Sequence, residues 1–269
     1  MEIKEYVKNR KSYLTETINN LEEKPHLLII QVNNDEASNA YVKGKIKDLS
    51  SIGARFTHQT LPLDTTEEEL LNVIKINNFN DDVDGILVQM PLPKHINETN
   101  VKEAITPVKD VDGFHPLSKC TACTPKGIID YLKSENVVFE GKNAVVIGRS
   151  NIVGKPIAQL LLGLNCNVTI LHSRTTKEDM NFYLANADIV IVAVGKKHFL
   201  NDQPLKETAT VVDVGINRVD GKLHGDCAPN LNVKLQTPVP GGVGLLTRCA
   251  MLENLLECYN NRRGNKNEI

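Results

Sequence analysis

The residues best suited to chemistry begin with Gly148-Arg149-Ser150-Asn151-Ile152-Val153-Gly154-Lys155-Pro156, which follows an apolar stretch and opens a helical pattern. Glycine directly after a strand permits a tight turn, and the free N–H groups of a helix N-terminus suit a pyrophosphate. Ser150 stands where a second glycine is usual and Gly154 comes one residue late, so a plain strand-to-helix turn is the alternative. In NAD-binding folds an acid about 20 residues past the first glycine holds the ribose 2′-hydroxyl. Here the next strand runs into His172-Ser173-Arg174, with no acid at its tip. A hydroxyl and a cation, with Arg149 nearby, suit a 2′-phosphate. The expectation is NADP rather than NAD; ordinary loop residues are the alternative. Val194-Gly195-Lys196 and Val214-Gly215-Ile216-Asn217 also place glycine after apolar strands, where a ligand can approach closely. The stiff run Thr237-Pro238-Val239-Pro240-Gly241-Gly242-Val243-Gly244 reads as a backbone wall beside a ligand or as a structural turn.

A second group lies in the first half. Tyr41 and Lys45 are four residues apart and share a helix face, with Ser38 one turn earlier. In short-chain dehydrogenases such a lysine helps to ionise the tyrosine, but there the nucleotide loop comes first. Here the pair precedes the loop, so that reading fails on order. A solvated helix lysine is the default, and Lys43 and Lys47 read that way. Gln89 ends an apolar strand, where an amide is placed to touch a ligand. Asp110-Val111-Asp112-Gly113 puts two acids in a tight loop; either could grip a guanidine-like heterocycle edge or serve as a turn residue. Cys120 and Cys123 have CxxC spacing without a second CxxC or an HxxxH, so no metal site is expected and the pair reads as two unlinked loop thiols.

These residues need a scaffold, and strand-like and helix-like runs alternate to supply it. The first half reads as strand 26–32, helix 35–51 ended by Gly53, strand 56–60, a helix capped by Thr65 or Thr66, and strand 84–89. Breakers from Pro91 to Pro125 suggest substrate loops and a domain connection. The second half reads as strand 143–147, helix 154–164, strand 167–171, helix 177–186, and strands 188–194 and 210–214. Residues 244–259 form an amphipathic helix, and the polar 260–269 is expected to fray. Alternation of this kind requires parallel sheets covered by helices, an α/β fold.

Composition excludes other classes. At 41% hydrophobic and 24% charged the chain is globular rather than disordered. A net charge of −2 gives no basic field for nucleic acid or an anionic membrane surface. Residues 1–12 are charged and lack an apolar core, so no signal peptide is expected, and no apolar run reaches the ~20 residues of a membrane span. Six cysteines read as reduced thiols of a cytoplasmic protein.

Six ordered blocks together resemble the bifunctional methylenetetrahydrofolate dehydrogenase/methenyltetrahydrofolate cyclohydrolase (FolD) family over almost the whole length. They are Ala37-Ser38-x-x-Tyr41-Val42-x-x-Lys45; Asp84-Gly85-Ile86-Leu87-Val88-Gln89-Met90-Pro91-Leu92-Pro93; Lys109-Asp110-Val111-Asp112-Gly113-Phe114-His115-Pro116; the loop from Val146 to Pro156; Asp213-Val214-Gly215-Ile216-Asn217; and the run from Thr237 to Gly244. The resemblance implies two α/β domains flanking a cleft, a folate-binding catalytic domain of 1–118 plus 248–269 and a Rossmann-like NADP domain of 119–247. It implies that the lysine matching Lys45 is central to the cyclohydrolase, acting with Tyr41, Gln89 and Asp112. Ser38, Tyr41, Gln89, Asp112, Pro240 and Gly241 would contact the tetrahydrofolate derivative. Gly148, Arg149, Ser150, Ser173, Arg174 and Ile216 would contact NADP. It further implies a homodimer in one-carbon metabolism and purine biosynthesis. Residues 117–122 are shorter than the family's segment, Ala122 replaces its proline, Asn33 its glycine, and Leu245-Leu246 its Pro-Met. The alternatives are therefore a dehydrogenase with weak or lost cyclohydrolase, and a non-catalytic folate or dinucleotide binder.

Overall fold

A computed structural model describes residues 1–264. The chain is α/β, with parallel sheets, and folds as two units. The first comprises Lys8–Cys123 and the chain from Arg248 onward; the second comprises Met1–Val7 and Thr124–Thr247. Relative to the expected division, Met1–Val7 group with the second unit and residues 119–123 with the first.

In the first unit β1 (His26–Gln31), α2 (Glu36–Ser51), β2 (Arg55–Thr60), α3 (Glu67–Asn78) and β3 (Gly85–Val88) follow α1 (Ile3–Asn19) in order. They build a parallel sheet ordered β2-β1-β3. Every residue of β1 is buried. Leu27 and Ile29 pack with Leu14, Val42, Leu49 and, from the last helix, Leu252 and Leu255. Leu28 and Ile30 face the other way, onto Leu70, Ile74, Ile86 and Val101. Burial on both faces explains the unbroken apolar run of the strand. Each such side chain contributes about 1.5–3 kcal/mol when withdrawn from water.

Beyond β3 the segment at Lys109–Val111 lies along the strand: Ile86 N–H donates to the Lys109 carbonyl at 2.7 Å, and Ile86 bridges Asp110. Gly85 makes room for it. A Cβ there would stand 2.3 Å from Val111 Cγ2 and 3.0 Å from Leu255 Cδ1. This close packing carries the Asp110–Asp112 loop to the end of β3, where Gln89 emerges.

The second unit continues with α5 (Cys123–Ser134), β4 (Asn143–Ile147), α6 (Gly154–Gly163), β5 (Asn167–Leu171), α7 (Lys177–Ala185), β6 (Ile189–Val192), β7 (Thr210–Asp213), the pair β8 (Asn217–Val219) and β9 (Lys222–His224), and β10 (Leu235–Gln236). Its parallel sheet runs β10-β7-β6-β4-β5. After β4 the chain adds β5 on one side and then returns to the other side for β6. That reversal beside β4 is the switch point at which open α/β sheets bind ligands.

Several elements differ from the expectation. α1 and α4 (Glu98–Ala104) are helices where none was expected. In α1 a narrow stripe of Ile3, Tyr6, Val7, Leu14 and Ile18 is buried within a charged sequence. Thr66, not Thr65, caps α3, in a reciprocal capping box with Glu69. The β8–β9 hairpin turns at Asp220-Gly221, both at positive φ, and the Asp-Gly dipeptide was its overlooked signal. The final helix α8 (Val243–Gly264) carries residues 260–264 that were expected to fray, while 265–269 lie outside the described residues. Cys123 opens α5 rather than lying in a loop. All six cysteines are free and buried, and Cys120 Sγ lies 3.5 Å from Cys258 Sγ. Among the described residues no helix is long and apolar enough to cross a membrane.

Candidate active site and dinucleotide site

Helix α2 starts at Asp35, whose carboxylate accepts the Ser38 N–H at 2.9 Å. This cap sets the rotation of the helix. Ser38 and Lys45 are buried, Tyr41 is half-buried, and Lys43 and Lys47 are exposed as expected. Lys45 Nζ sits 5.2 Å from the Tyr41 ring centroid. It donates to Gln89 Oε1 at 3.1 Å, and the Gln89 amide is oriented by its own N–H donating to the Met90 carbonyl at 2.6 Å. The structure thus joins Tyr41, Lys45 and Gln89.

Burial lowers the proton affinity of Lys45. Asp112 and Cys123 oppose that shift, and the Arg248 guanidinium adds to it. Burial raises the Asp112 carboxyl above the usual range, against the pull of Lys45, and holds the Cys123 thiol protonated. Asp112 therefore belongs to the same electrostatic cluster as Lys45. Its neighbour Asp110 is a turn residue: its carboxylate accepts the N–H groups of Gly113 at 3.1 Å and His115 at 2.8 Å. Gly113 is required there, at φ +71°, with the Thr121–Ala122 backbone 2.6 Å from any Cβ.

Sequence reasoning missed the charge cluster behind this site. Arg248 Nε pairs with Asp48 at 3.0 Å and Lys11 Nζ with the same carboxylate at 2.5 Å. The Arg248 guanidinium lies over Gly44, where a Cβ would meet Nη1 at 2.1 Å. The only sequence signal was a glycine beside Lys45 in an otherwise regular helix.

The remaining expected residues are in the second unit. Gly148 follows β4 at φ +125°, and a Cβ there would meet the Ala193 carbonyl oxygen after β6 at 2.3 Å. Gly154 packs equally closely on the Gly148 carbonyl, drawing the start of α6 onto the turn. Ser150 Oγ accepts the N–H groups of Val153 and Gly154 at 3.2 and 3.3 Å, so the serine shapes the helix entry. Arg149, Ser150, Ser173, Arg174 and Ile216 are exposed. The turn after β5 is fixed by Thr175 N–H donating to the His172 carbonyl and Arg174 N–H to His172 Nδ1. A glycine turn at the switch point, a helix N-terminus beside it and two exposed arginines fit a phosphorylated dinucleotide. Pro240 is exposed and Gly241 half-buried in this unit; the stiff run is tight, with Gly242 against the Pro238 carbonyl.

Two carboxylates to which the sequence assigned no role hold these turns. Asp226 is fully buried and accepts N–H from Val194, Gly195 and Lys196 at 2.7–2.8 Å, and from the Asn217 amide at 2.9 Å. Asp213 accepts from Gly215, Asp226 and Cys227 at 2.8–3.0 Å. Burial pushes the Asp213 carboxyl up against the pull of those donors. Gly215 and Gly225 leave room for the two carboxylates, since a Cβ would stand 2.2 and 1.8 Å from their oxygens. Among the described residues no group of three or more His, Cys, Asp or Glu side chains could hold a metal ion.

Residues 1–112 match the model of the tetrahydrofolate dehydrogenase/cyclohydrolase catalytic domain, and residues 122–263 that of its NAD(P)-binding domain. The chain is 45% identical to the bifunctional protein FolD of Bacillus licheniformis over 94% of each chain. It superposes on the bifunctional FolD methylenetetrahydrofolate dehydrogenase/cyclohydrolase of Campylobacter jejuni with a TM-score of 0.93 at 38% identity, covering 97% of this chain and 98% of that one. The Trypanosoma brucei methylenetetrahydrofolate dehydrogenase-cyclohydrolase, solved with NADP cofactor and inhibitor, gives a TM-score of 0.92 at 30% identity over 97% of each chain.

The Asp226 network yields a direct test. Asp226→Asn replaces one acceptor by an NH2 that faces backbone N–H groups. It is expected to lower unfolding stability by roughly 3 kcal/mol and to weaken dinucleotide binding, read by urea denaturation and by titration. Unchanged values would mean that the network does not hold the turns.

Proposed function

The chain belongs to the tetrahydrofolate dehydrogenase/cyclohydrolase family, and on that premise we propose that it oxidises 5,10-methylenetetrahydrofolate to 5,10-methenyltetrahydrofolate with NADP and hydrolyses the product to 10-formyltetrahydrofolate. The observation that carries this reading is the buried Lys45 held by Gln89 beside Tyr41. A non-catalytic binder has no need of a lysine whose proton affinity is lowered by burial.

When bound, NADP supplies the hydride acceptor, and the protein's part in that step is position. The glycine turns after β4 and β6 would hold the dinucleotide, and Arg149, Ser173 and Arg174 would supply the charged and hydroxyl contacts for a 2′-phosphate. Ile216 offers an apolar contact. Tyr41 flanks the folate and Ser38 lines its site. Asp112 accepts N–H groups from the pterin's amino-pyrimidine edge.

Hydration follows on the methenyl cation. Lys45 Nζ, in its neutral form, takes a proton from water as the oxygen bonds to the one-carbon centre. The ring C–N bond then breaks as the carbinol O–H releases its proton to solvent and C=O forms; the departing nitrogen takes the proton held on Nζ, which leaves the formyl group on the other nitrogen and returns Lys45 to its neutral form. Gln89 Oε1 holds Nζ in line and adds no charge that would fix the ammonium.

β5 is the edge of its sheet and presents exposed Ile170, with exposed Leu162 on the preceding helix and Phe182 and Tyr183 on the next. Such an edge suits pairing with a second copy, and we assign a homodimer. Sedimentation should give twice the chain mass, and Ile170→Lys should shift it to the monomer. The free cysteines suit a reducing cytoplasm. The formyl product suits consumption by formyl-transfer steps such as those of purine biosynthesis.

The central test separates the two reactions. Lys45→Ala should keep NADPH formation within about tenfold and lose methenyltetrahydrofolate hydrolysis by about 100-fold or more. In the unsubstituted protein hydrolysis above background should rise with pH as Lys45 deprotonates, with its midpoint below the ordinary lysine range. Equal loss of both activities in the variant would overturn the base role, and hydrolysis absent from the unsubstituted protein would leave a dehydrogenase alone.

Cofactor choice is tested separately. Arg174→Ala and Arg149→Ala should each raise KM for NADP by about tenfold or more, by losing a charged contact, and leave the weaker turnover with NAD unchanged. A parallel change with both cofactors would remove the 2′-phosphate assignment.

A further inference from the structure

The segment between Lys109 and Cys123 has no regular helix or strand, yet it must hold Asp112 in register with Lys45. Its two limbs, Val111–Gly113 and Thr121–Cys123, lie against each other, with Cys123 N–H donating to the Asp112 carbonyl at 3.2 Å. Asn254 of α8 reaches both limbs. It is fully buried, and its Nδ2 donates to the Val111 carbonyl at 2.8 Å and to the Thr121 carbonyl at 2.8 Å. The same nitrogen lies 3.5 Å from Cys123 Sγ. One NH2 group, with only two hydrogens, thus joins the residue before Asp112 to the residue before Ala122.

The other end of that amide is unusual. Asn254 Oδ1 is buried with no hydrogen-bond partner among the described residues. A buried orphan carbonyl is costly. An apolar residue of the same size would avoid that cost but would take the donor from the Thr121 carbonyl and leave the Val111 carbonyl only the Cys123 thiol, at 3.2 Å. The side chain is therefore kept for its two donors, and what they hold is the loop that presents Asp112.

We propose that Asn254 is a positioning residue for Asp112: its amide clamps Val111 and Thr121 and so fixes the carboxyl against the folate. The inference rests on the reading that Asp112 binds the pterin. Asn254 touches no substrate itself and acts through the loop. Removing it should therefore loosen folate binding and leave the dinucleotide site as it was.

The experiment is a double-mutant cycle on the full-length protein with Asn254→Ala, Asp112→Asn and the two combined, following NADPH formation. Asn254→Ala is expected to raise KM for methylenetetrahydrofolate by about tenfold, the scale of a misplaced contact, with KM for NADP unchanged. The double variant should be no worse than Asp112→Asn alone. Wild-type kinetics for Asn254→Ala, losses that multiply in the double variant, or a rise in both KM values together would each overturn the proposal. If Asn254→Ala does not fold, Asn254→Ser is scored in its place; its failure to fold as well would overturn the proposal by making the residue a determinant of the fold. Asp112→Asn with an unchanged KM for folate would instead refute the assignment of Asp112, a result that the Asn254 variants cannot mimic.

Discussion

The site depends on a lysine withdrawn from water and given a neutral partner. A buried ammonium is normally held by a carboxylate, which raises its proton affinity and makes it inert as a base. Lys45 instead donates to the amide oxygen of Gln89. Asp112 acts on it through space, but burial outweighs that attraction. A lysine in this setting can lose its proton without stranding a buried anion opposite it. The elements around it follow from that need: α2 must present Lys45 inward, β3 must end at Gln89, and the loop beyond must stop with Asp112 near both.

Comparison of like residues separates scaffold from chemistry. Lys109 is as buried as Lys45, yet it donates to the carbonyls of Asn77 and Asn80 at 2.9 and 2.7 Å, closing the end of α3. Burial and the Arg262 charge push it down to about 8, but both contacts are to backbone carbonyls. Asp110 and Asp112 are two residues apart, and the first is consumed by backbone N–H groups whereas the second answers to Lys45. Asp213 and Asp226 are the extreme case, seven donors on two carboxylates. A charged group saturated by backbone is a structural fixture; one held by a single neutral or distant partner keeps chemical freedom.

That distinction also explains what could be read from the sequence. Strands β1, β3, β4 and β6 were legible because strands buried on both faces leave apolar runs. α2 and α6 were legible from their spacing and from the residues at their ends. Lys45, Gln89 and Asp112 could be singled out by position, at a helix face, a strand end and a tight loop, but their convergence is a property of register. A three-strand sheet with β1 in the middle brings α2 and the end of β3 together, and no local pattern states that order. α1 stayed hidden because five buried apolar residues, spread among charges, do not raise a helical signal. Asp226 and Asn254 stayed hidden for a different reason. A polar residue satisfied by distant backbone looks the same in sequence as one on the surface.

The order of the two proposed reactions has an electrostatic logic in this arrangement. Hydride removal turns a neutral one-carbon bridge into a cation. A cation formed beside Lys45 adds to the effect of burial and of Arg248, and drives the lysine further toward its neutral form. The product that needs the base thus favours its neutral form, whereas the substrate of the first step, having no such charge, adds nothing to the shift that burial already imposes. Asp112 and Cys123 oppose that coupling, as they oppose the effect of burial on Lys45, while burial shifts both groups upward. A carboxylate in place of Gln89 would break this sequence, because a fixed anion against Nζ would hold the ammonium in both states.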